Sequence, residues 1–141
     1  MTITPAIATQ AEVLAALDNS VLFSAHWSVA NWQAELAQPS ARIWCAVQEG
    51  RKIGFIALRG AVGQWELLNI AVSAQYQRQG VATALMHHAL AVIGNEQITL
   101  EVSTANQAAQ ALYQKAGFVV LGIRKQFYKD GTDALIMGNV P

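Results

Sequence analysis

The run Asn69-Ile70-Ala71-Val72-Ser73-Ala74-Gln75-Tyr76-Gln77-Arg78-Gln79-Gly80-Val81-Ala82 passes from an apolar strand through a polar loop into the start of a helix. The first N–H groups of a helix have no internal partner and carry the positive end of its dipole, so a pyrophosphate set there collects several charge-assisted hydrogen bonds. Gly80 lets the backbone come close to such an anion, and Ala82 leaves room where a larger side chain would intrude. Taken alone, a glycine before a helix is equally the mark of an ordinary strand-to-helix turn. It is not a P-loop, because no Lys-Ser or Lys-Thr follows Gly80, and it lacks the further glycines of a dinucleotide fingerprint.

Other reactive residue types point elsewhere. His87 and His88 are adjacent in a helical stretch, so they project about 100° apart and make a poor chelating pair; no metal site is expected. Cys45 lies in the apolar run Ile43-Trp44-Cys45-Ala46-Val47 and reads as a small buried thiol. His26 beside Trp27 either lines a cleft or is a satisfied structural histidine, and Trp32, Trp44 and Trp65 read as core aromatics.

Positioning these residues takes alternating elements. After a short strand around Ile3, Thr9 is expected to cap a helix carrying Val13, Leu14 and Leu17, ended by Asp18-Asn19-Ser20. Ser28 precedes a second helix through Leu36, stopped before Pro39. Ala41 to Gln48, Lys52 to Leu58 and Gln64 to Val72 read as an antiparallel meander. A longer helix follows from Gly80 to Ile93, with Val81, Ala84, Leu85, Met86, Ala89 and Val92 on its apolar face and Gly94-Asn95 ending it. Gln97 to Ser103 alternates as a strand, Ala105 to Ala116 is helical up to Gly117, and Phe118 to Ile123 and Ala134 to Val140 are strands. The order β-α-α-β-β-β-α-β-α-β-β is an α/β arrangement around a central mixed sheet.

The chain of 141 residues fits one domain over 1–141, with no internal repeat or linker. It is 53% hydrophobic and 13% charged, against a usual charged share of about 25%, which excludes disorder. Twenty-five residues are alanine, so the apolar percentage overstates the buried area and favours closely approaching elements. Nine basic and nine acidic residues cancel, so no overall field draws the chain to nucleic acid or anionic lipid. Apolar runs break well short of the ~18 residues of a membrane span. Met1 to Gln10 lack signal-peptide character and Cys45 is alone, so the cytoplasm is the expected compartment.

Gln77-Arg78-Gln79-Gly80-Val81-Ala82 resembles the Gln/Arg-x-x-Gly-x-Gly/Ala pyrophosphate loop of the GNAT family of acetyl-CoA-dependent N-acetyltransferases, and the element order resembles that fold. Leu100-Glu101-Val102-Ser103-Thr104-Ala105-Asn106, Ala111-Leu112-Tyr113-Gln114-Lys115-Ala116-Gly117-Phe118 and the stretch from Tyr128 to Met137 are similar to the RimI-type members, which acetylate the N-terminal alanine of a small-subunit ribosomal protein. The likeness covers residues 65 to 138 well. Residues 1 to 60 match in element order and in His26-Trp27-Ser28, which resembles the acceptor-side loop.

This resemblance implies a sheet whose strands splay to form an acetyl-CoA cleft. By position it implies that Ile70, Ala71 and Val72 pair through their backbone with the pantetheine arm, that Gln77, Arg78, Gln79, Gly80, Val81 and Ala82 hold the pyrophosphate, and that Asn106 contacts the pantetheine. Glu101 becomes the general base and Tyr113 the general acid. These roles are physically coherent. An α-amine with a pKa of roughly 7.7–8.0 gives up its proton far more readily than a lysine at about 10.4, so a carboxylate suffices. Glu101 lies on the non-apolar side of its strand, and Asn106 and Tyr113, nearly two turns apart, share one helix face at about 10 Å along the axis. A strand N–H near Ile70 to Val72, unpaired if strands splay there, would meet the oxyanion.

Taken singly, Glu101 reads as a solvated strand carboxylate, Tyr113 as a packing residue and Asn106 as a helix cap. Ser73-Ala74-Gln75 departs from the acidic residue and proline of RimI-type sequences. The acceptor therefore stays open between a protein N-terminus, a small-molecule amine and a lysine, beside a non-catalytic acetyl-CoA sensor. The basic cluster Arg124, Lys125 and Lys129 reads as a solvated face.

Overall fold

A computed structural model describes residues 1–94 and 96–139. The strands are β1 (Thr2–Pro5), β2 (Ala41–Gln48), β3 (Arg51–Ala61), β4 (Gln64–Val72), β5 (Gln97–Ser103), β6 (Val119–Arg124) and β7 (Ala134–Gly138); the helices are α1 (Ala11–Asp18), α2 (Val29–Leu36), α3 (Val81–Ile93) and α4 (Gln107–Lys115). One sheet holds all seven strands in the order β1-β2-β3-β4-β5-β7-β6. β4 and β5 pair in parallel, and every other neighbouring pair is antiparallel. The parallel step follows from α3, whose 13 residues carry the chain across the sheet.

Helices cover both faces, giving two cores. α1 and α2 close one over Ile43, Cys45, Phe55, Ala57 and Ala71, with Trp32 at its centre in edge contact with Trp27 and Phe55. α3 and α4 close the other over Trp44, Ile56, Leu58, Trp65, Leu67, Leu100 and Met137. Trp32, Trp44 and Trp65 are buried, as expected. So is Cys45, and burial pushes its thiol up to about 11 against a weaker pull from Lys52.

Several expectations are corrected. Thr9 does not cap α1: it lies in a 3-10 turn, Ala8–Gln10, and Gln10 is the N-cap residue, its Oε1 accepting the N–H of Ile7. Val13 is exposed because the buried stripe of α1 runs through Ala11, Leu14, Ala15 and Asp18, and Val13 falls outside that arc. Val92 is exposed in the last turn of α3, so the fully buried stripe ends at Ala89. β3 continues past Leu58 to Ala61 and turns into β4 at Gly63, where φ is +93°. Gly94 ends α3, while Asn95 and Val140 lie outside the described residues.

Candidate active site

The parallel pairing of β4 with β5 stops at Leu67 opposite Leu100. An irregularity on β4 accompanies the parting: Leu67 faces Leu58 and Asn69 faces Ala57, so Leu68 is an extra residue, a bulge. A bulge reverses the alternation beyond it. Trp65 and Leu67 point to the α3 side, as do Ile70 and Val72, whereas Asn69 and Ala71 turn to the α1 side. Past the bulge, Ser73 donates its N–H to Ile53 at 2.8 Å. Alternation then directs the peptide groups of Ala71 to β3, and those of Ile70 and Val72 into the gap left by β5. Ala71 therefore differs from its two neighbours, and the carbonyl of Val72 is already taken by Gln77 Nε2 at 3.0 Å.

The chain then makes a short turn, Ala74–Tyr76, and enters α3 through two left-handed residues, Arg78 (φ +63°) and Gly80 (φ +84°). Gln79 braces the loop by donating Nε2 to the carbonyl of Gln75. A Cβ on Gly80 would meet nothing within 4 Å, so the left-handed backbone, not crowding, selects glycine there, and the space outside it is open. The first helical bond runs from Ala84 N–H to the Gly80 carbonyl, and Gly80 brings no side-chain cap. The N–H groups of Val81, Ala82 and Thr83 thus lack helical partners, beside the exposed Arg78. This donor set fits an anionic phosphate group.

Across the gap, Glu101 lies on the face of β5 opposite Leu100 and Val102, with 23% of its side chain exposed. Its Oε1 is 3.2 Å from Nε of Arg124, whose side chain is 55% exposed and lies over the ring of Phe127. Arg124 is therefore more than a solvated cation. Lys125 pairs with Asp133, which also accepts the N–H of Gln126 and so helps to fold the loop between β6 and β7. That loop carries Tyr128, whose phenol is raised above its ordinary value by burial first, then by the charges of Glu101 and Asp130.

Tyr113 is 3% exposed on α4, against Phe118. Burial raises its phenol well above 10, with a smaller push from Tyr128. Glu101 and Tyr128 both add to the upward shifts of this pair of phenols, Glu101 acting on Tyr128 and Tyr128 on Tyr113, each as a smaller cause than burial. Asn106 is the N-cap of α4: its Oδ1 accepts the N–H of Ala109 at 3.2 Å, and its Nδ2 has no partner among the described residues.

Sequence reasoning missed the buried pair Asp18 and Asn69, which share a hydrogen bond of 2.9 Å and hold the segment between α1 and α2. A signal existed, because Asp18 continues the buried spacing Ala11, Leu14, Ala15. His26 in that segment is exposed, with its ring hydrogen-bonded to the carbonyl of Val21. A depression of about 330 Å³ among Arg59, Glu66, Gln97 and Thr99 lies at the paired end of β4 and β5; it shares no residue with the site. Among the described residues no cluster of three His, Cys, Asp or Glu side chains could hold a metal ion, and no helix is long and apolar enough to cross a membrane.

A sequence profile of the acetyltransferase (GNAT) family matches residues 11–118. The ribosomal protein bS18-alanine N-acetyltransferase of Escherichia coli (strain K12) is 38% identical over 96 residues, 64% of this chain and 65% of that protein, so the match spans just under two thirds of the relative. The N-alpha-acetyltransferase RimI of Mycobacterium tuberculosis (strain ATCC 25618 / H37Rv) is 32% identical over 116 residues, 79% of this chain and 73% of that one. The crystal structure of the ribosomal-protein-S18-alanine N-acetyltransferase from Escherichia coli has a TM-score of 0.88 and 29% identity over 97% of this chain and 91% of that chain. Arabidopsis thaliana NAA60 in complex with acetyl-CoA shares the fold, with a TM-score of 0.84 and 16% identity over 97% and 96% of the two chains. The chain therefore belongs to the GNAT family of acetyltransferases and is an acetyl-transferring enzyme of the RimI type.

Proposed function

We propose that the protein, acting in the cytoplasm as a single catalytic domain, transfers acetyl from acetyl-CoA to the α-amine of a protein N-terminus. The acceptor in this reading is the N-terminal alanine of a small-subunit ribosomal protein. The observation that carries it is a partly exposed carboxylate, Glu101, across an open strand gap from the free N–H groups of Ile70 and Val72, in a chain whose relatives are named for that reaction. The pyrophosphate of acetyl-CoA rests on residues 77–82. Ile70 and Val72 meet the pantetheine arm, and Asn106 offers it Nδ2.

The carboxylate of Glu101 takes the proton of the incoming α-ammonium, directly or through a water, and the neutral amine attacks the acetyl carbonyl. A strand N–H of Ile70 or Val72 faces the oxygen on which charge develops. As the carbon–sulfur bond breaks, Tyr113 gives its proton to the thiolate, and the proton that the nitrogen sheds on becoming an amide restores the phenol by way of solvent. Burial raises the Tyr113 phenol and so keeps it protonated at neutral pH, with a proton to give.

The test is coenzyme A release with two basic peptides: one with a free N-terminal alanine, the other identical but blocked at the N-terminus and retaining internal lysines. Release with the free peptide alone is expected. Release with both assigns the enzyme to lysine, and release with neither turns the reading to a small-molecule amine or a sensor.

A further inference from the structure

We infer that Asp18 and Asn69 form a positioning pair: together they lock the segment between α1 and α2 to the strand whose peptide groups face the gap, and so set the register of the acceptor amine against the acetyl group. The inference rests on the acceptor entering on the Glu101 face of the sheet.

Asp18 ends α1 with no exposed surface, and its carboxylate makes no ion pair among the described residues. Four N–H donors satisfy it instead. Oδ1 accepts the backbone N–H of His26 at 2.9 Å, while Oδ2 accepts the backbone N–H of Trp27 at 2.8 Å, Nε1 of Trp32 at 3.1 Å and Nδ2 of Asn69 at 2.9 Å. Asn69 completes the set, its Oδ1 accepting the N–H of Ala25 at 3.0 Å. Three consecutive peptides of a segment without regular structure are therefore held by two side chains from elsewhere in the fold. A buried carboxylate is tolerated only with such partners, so losing one donor weakens the hold of the others.

The other end of the pair makes this a matter of catalysis. Asn69 precedes Ile70, whose N–H faces the gap and whose place is fixed by the pairing of β4 with β3, so losing the amide frees the segment after α1 and leaves the strand where it is. Asn69 reaches Asp18 only because the bulge at Leu68 turns it to the α1 face, and the same bulge marks where β4 leaves β5. One irregularity thus accompanies the opening of the donor cleft and fastens the segment that overlooks it from the Glu101 side. That segment exposes Leu22 and Phe23, the apolar side chains it can offer an acceptor.

Asn69→Ala removes both bonds of the amide. Hydrogen bonds to buried charged groups and sub-ångström placement each carry about tenfold or more, so the acceptor KM is expected to rise about tenfold while the acetyl-CoA KM stays within about twofold. The amides of Ala25, His26 and Trp27 should exchange with deuterium about tenfold faster, with the sheet protected as before. Asp18→Asn keeps the size of the side chain, loses one acceptor oxygen and predicts the same pattern; it carries the test if Asn69→Ala does not fold. A merely structural role raises both KM values together and lowers protection throughout, and that result overturns the inference, as does an unchanged acceptor KM in a folded variant. If the unmodified protein turns over no peptide, the peptide reading falls by itself, and the KM split is measured with whichever amine it does acetylate.

Discussion

The donor side of the gap, from Ile70 to Ala82, presents backbone: two strand N–H groups, a left-handed glycine and the uncapped start of α3. What the proposed reaction makes the acceptor side, the segment after Asp18 together with Glu101, depends on side chains held across the fold, Asp18 by Asn69 of β4 and Glu101 by Arg124 of β6. A backbone site is made by a dozen consecutive residues and is lost chiefly where a special dihedral angle is lost. A side-chain site is assembled by the whole fold, so single distant substitutions reach it. The two sides should therefore fail in different kinetic constants.

The largest effect belongs to the groups that move protons in the proposed reaction. Glu101→Gln and Tyr113→Phe should each lower kcat by roughly 10²–10⁴, the usual weight of a positioned acid or base, while acetyl-CoA affinity stays within about twofold. Glu101→Gln should be worst at low pH, where less of the amine is already neutral. Equal losses in kcat and acetyl-CoA affinity would mean that these residues shape the donor cleft instead. Tyr113→Phe has a second signature. Its phenol is raised in the folded state, so the stability it contributes is complete below about pH 10 and is lost as pH rises through the folded value. The variant should unfold less readily in alkali than the parent, which thermal melts from pH 8 to 11 would register.

Gly80→Val comes next and strikes the donor side alone. A β-branched residue at a φ of +84° costs about 1–2 kcal/mol, so the loop relaxes and must be restored to bind the anion; acetyl-CoA affinity should fall about tenfold. At saturating acetyl-CoA the acceptor KM should not change. A joint change would show that the two sides are mechanically one.

The same division governed what could be read from the chain. The donor loop was legible because its residues are neighbours, and strand, left-handed glycine and helix start all lie between Asn69 and Ala82. The splay was legible only through resemblance: the run from Trp65 to Val72 reads as one continuous strand, and nothing local marks Leu68 as the extra residue. Asp18 sat in plain view within the stripe Ala11, Leu14, Ala15, but a terminal acid reads as a helix stop until the donors around it are found, His26, Trp27 and Trp32 from the chain that follows and Asn69 from β4. Arg124 read as solvated because its partner is two strands away across β7.

Arg124 gives the smallest effect and tests the acceptor side at its rim. Its guanidinium holds the carboxylate that the incoming ammonium reaches in the proposed reaction, where the acceptor competes with it for Glu101. An ion pair this exposed contributes about 0–1 kcal/mol, which bounds both the competition and the loss of stability on removing it. Arg124→Gln should then lower the acceptor KM by about twofold to fivefold, leave the acetyl-CoA KM unchanged and shift Tm by no more than a few degrees. The gain should shrink at high salt, since screening already weakens the competing pair. A higher acceptor KM would instead make Arg124 part of the acceptor's binding surface, with the cation serving the incoming chain and not occupying its place.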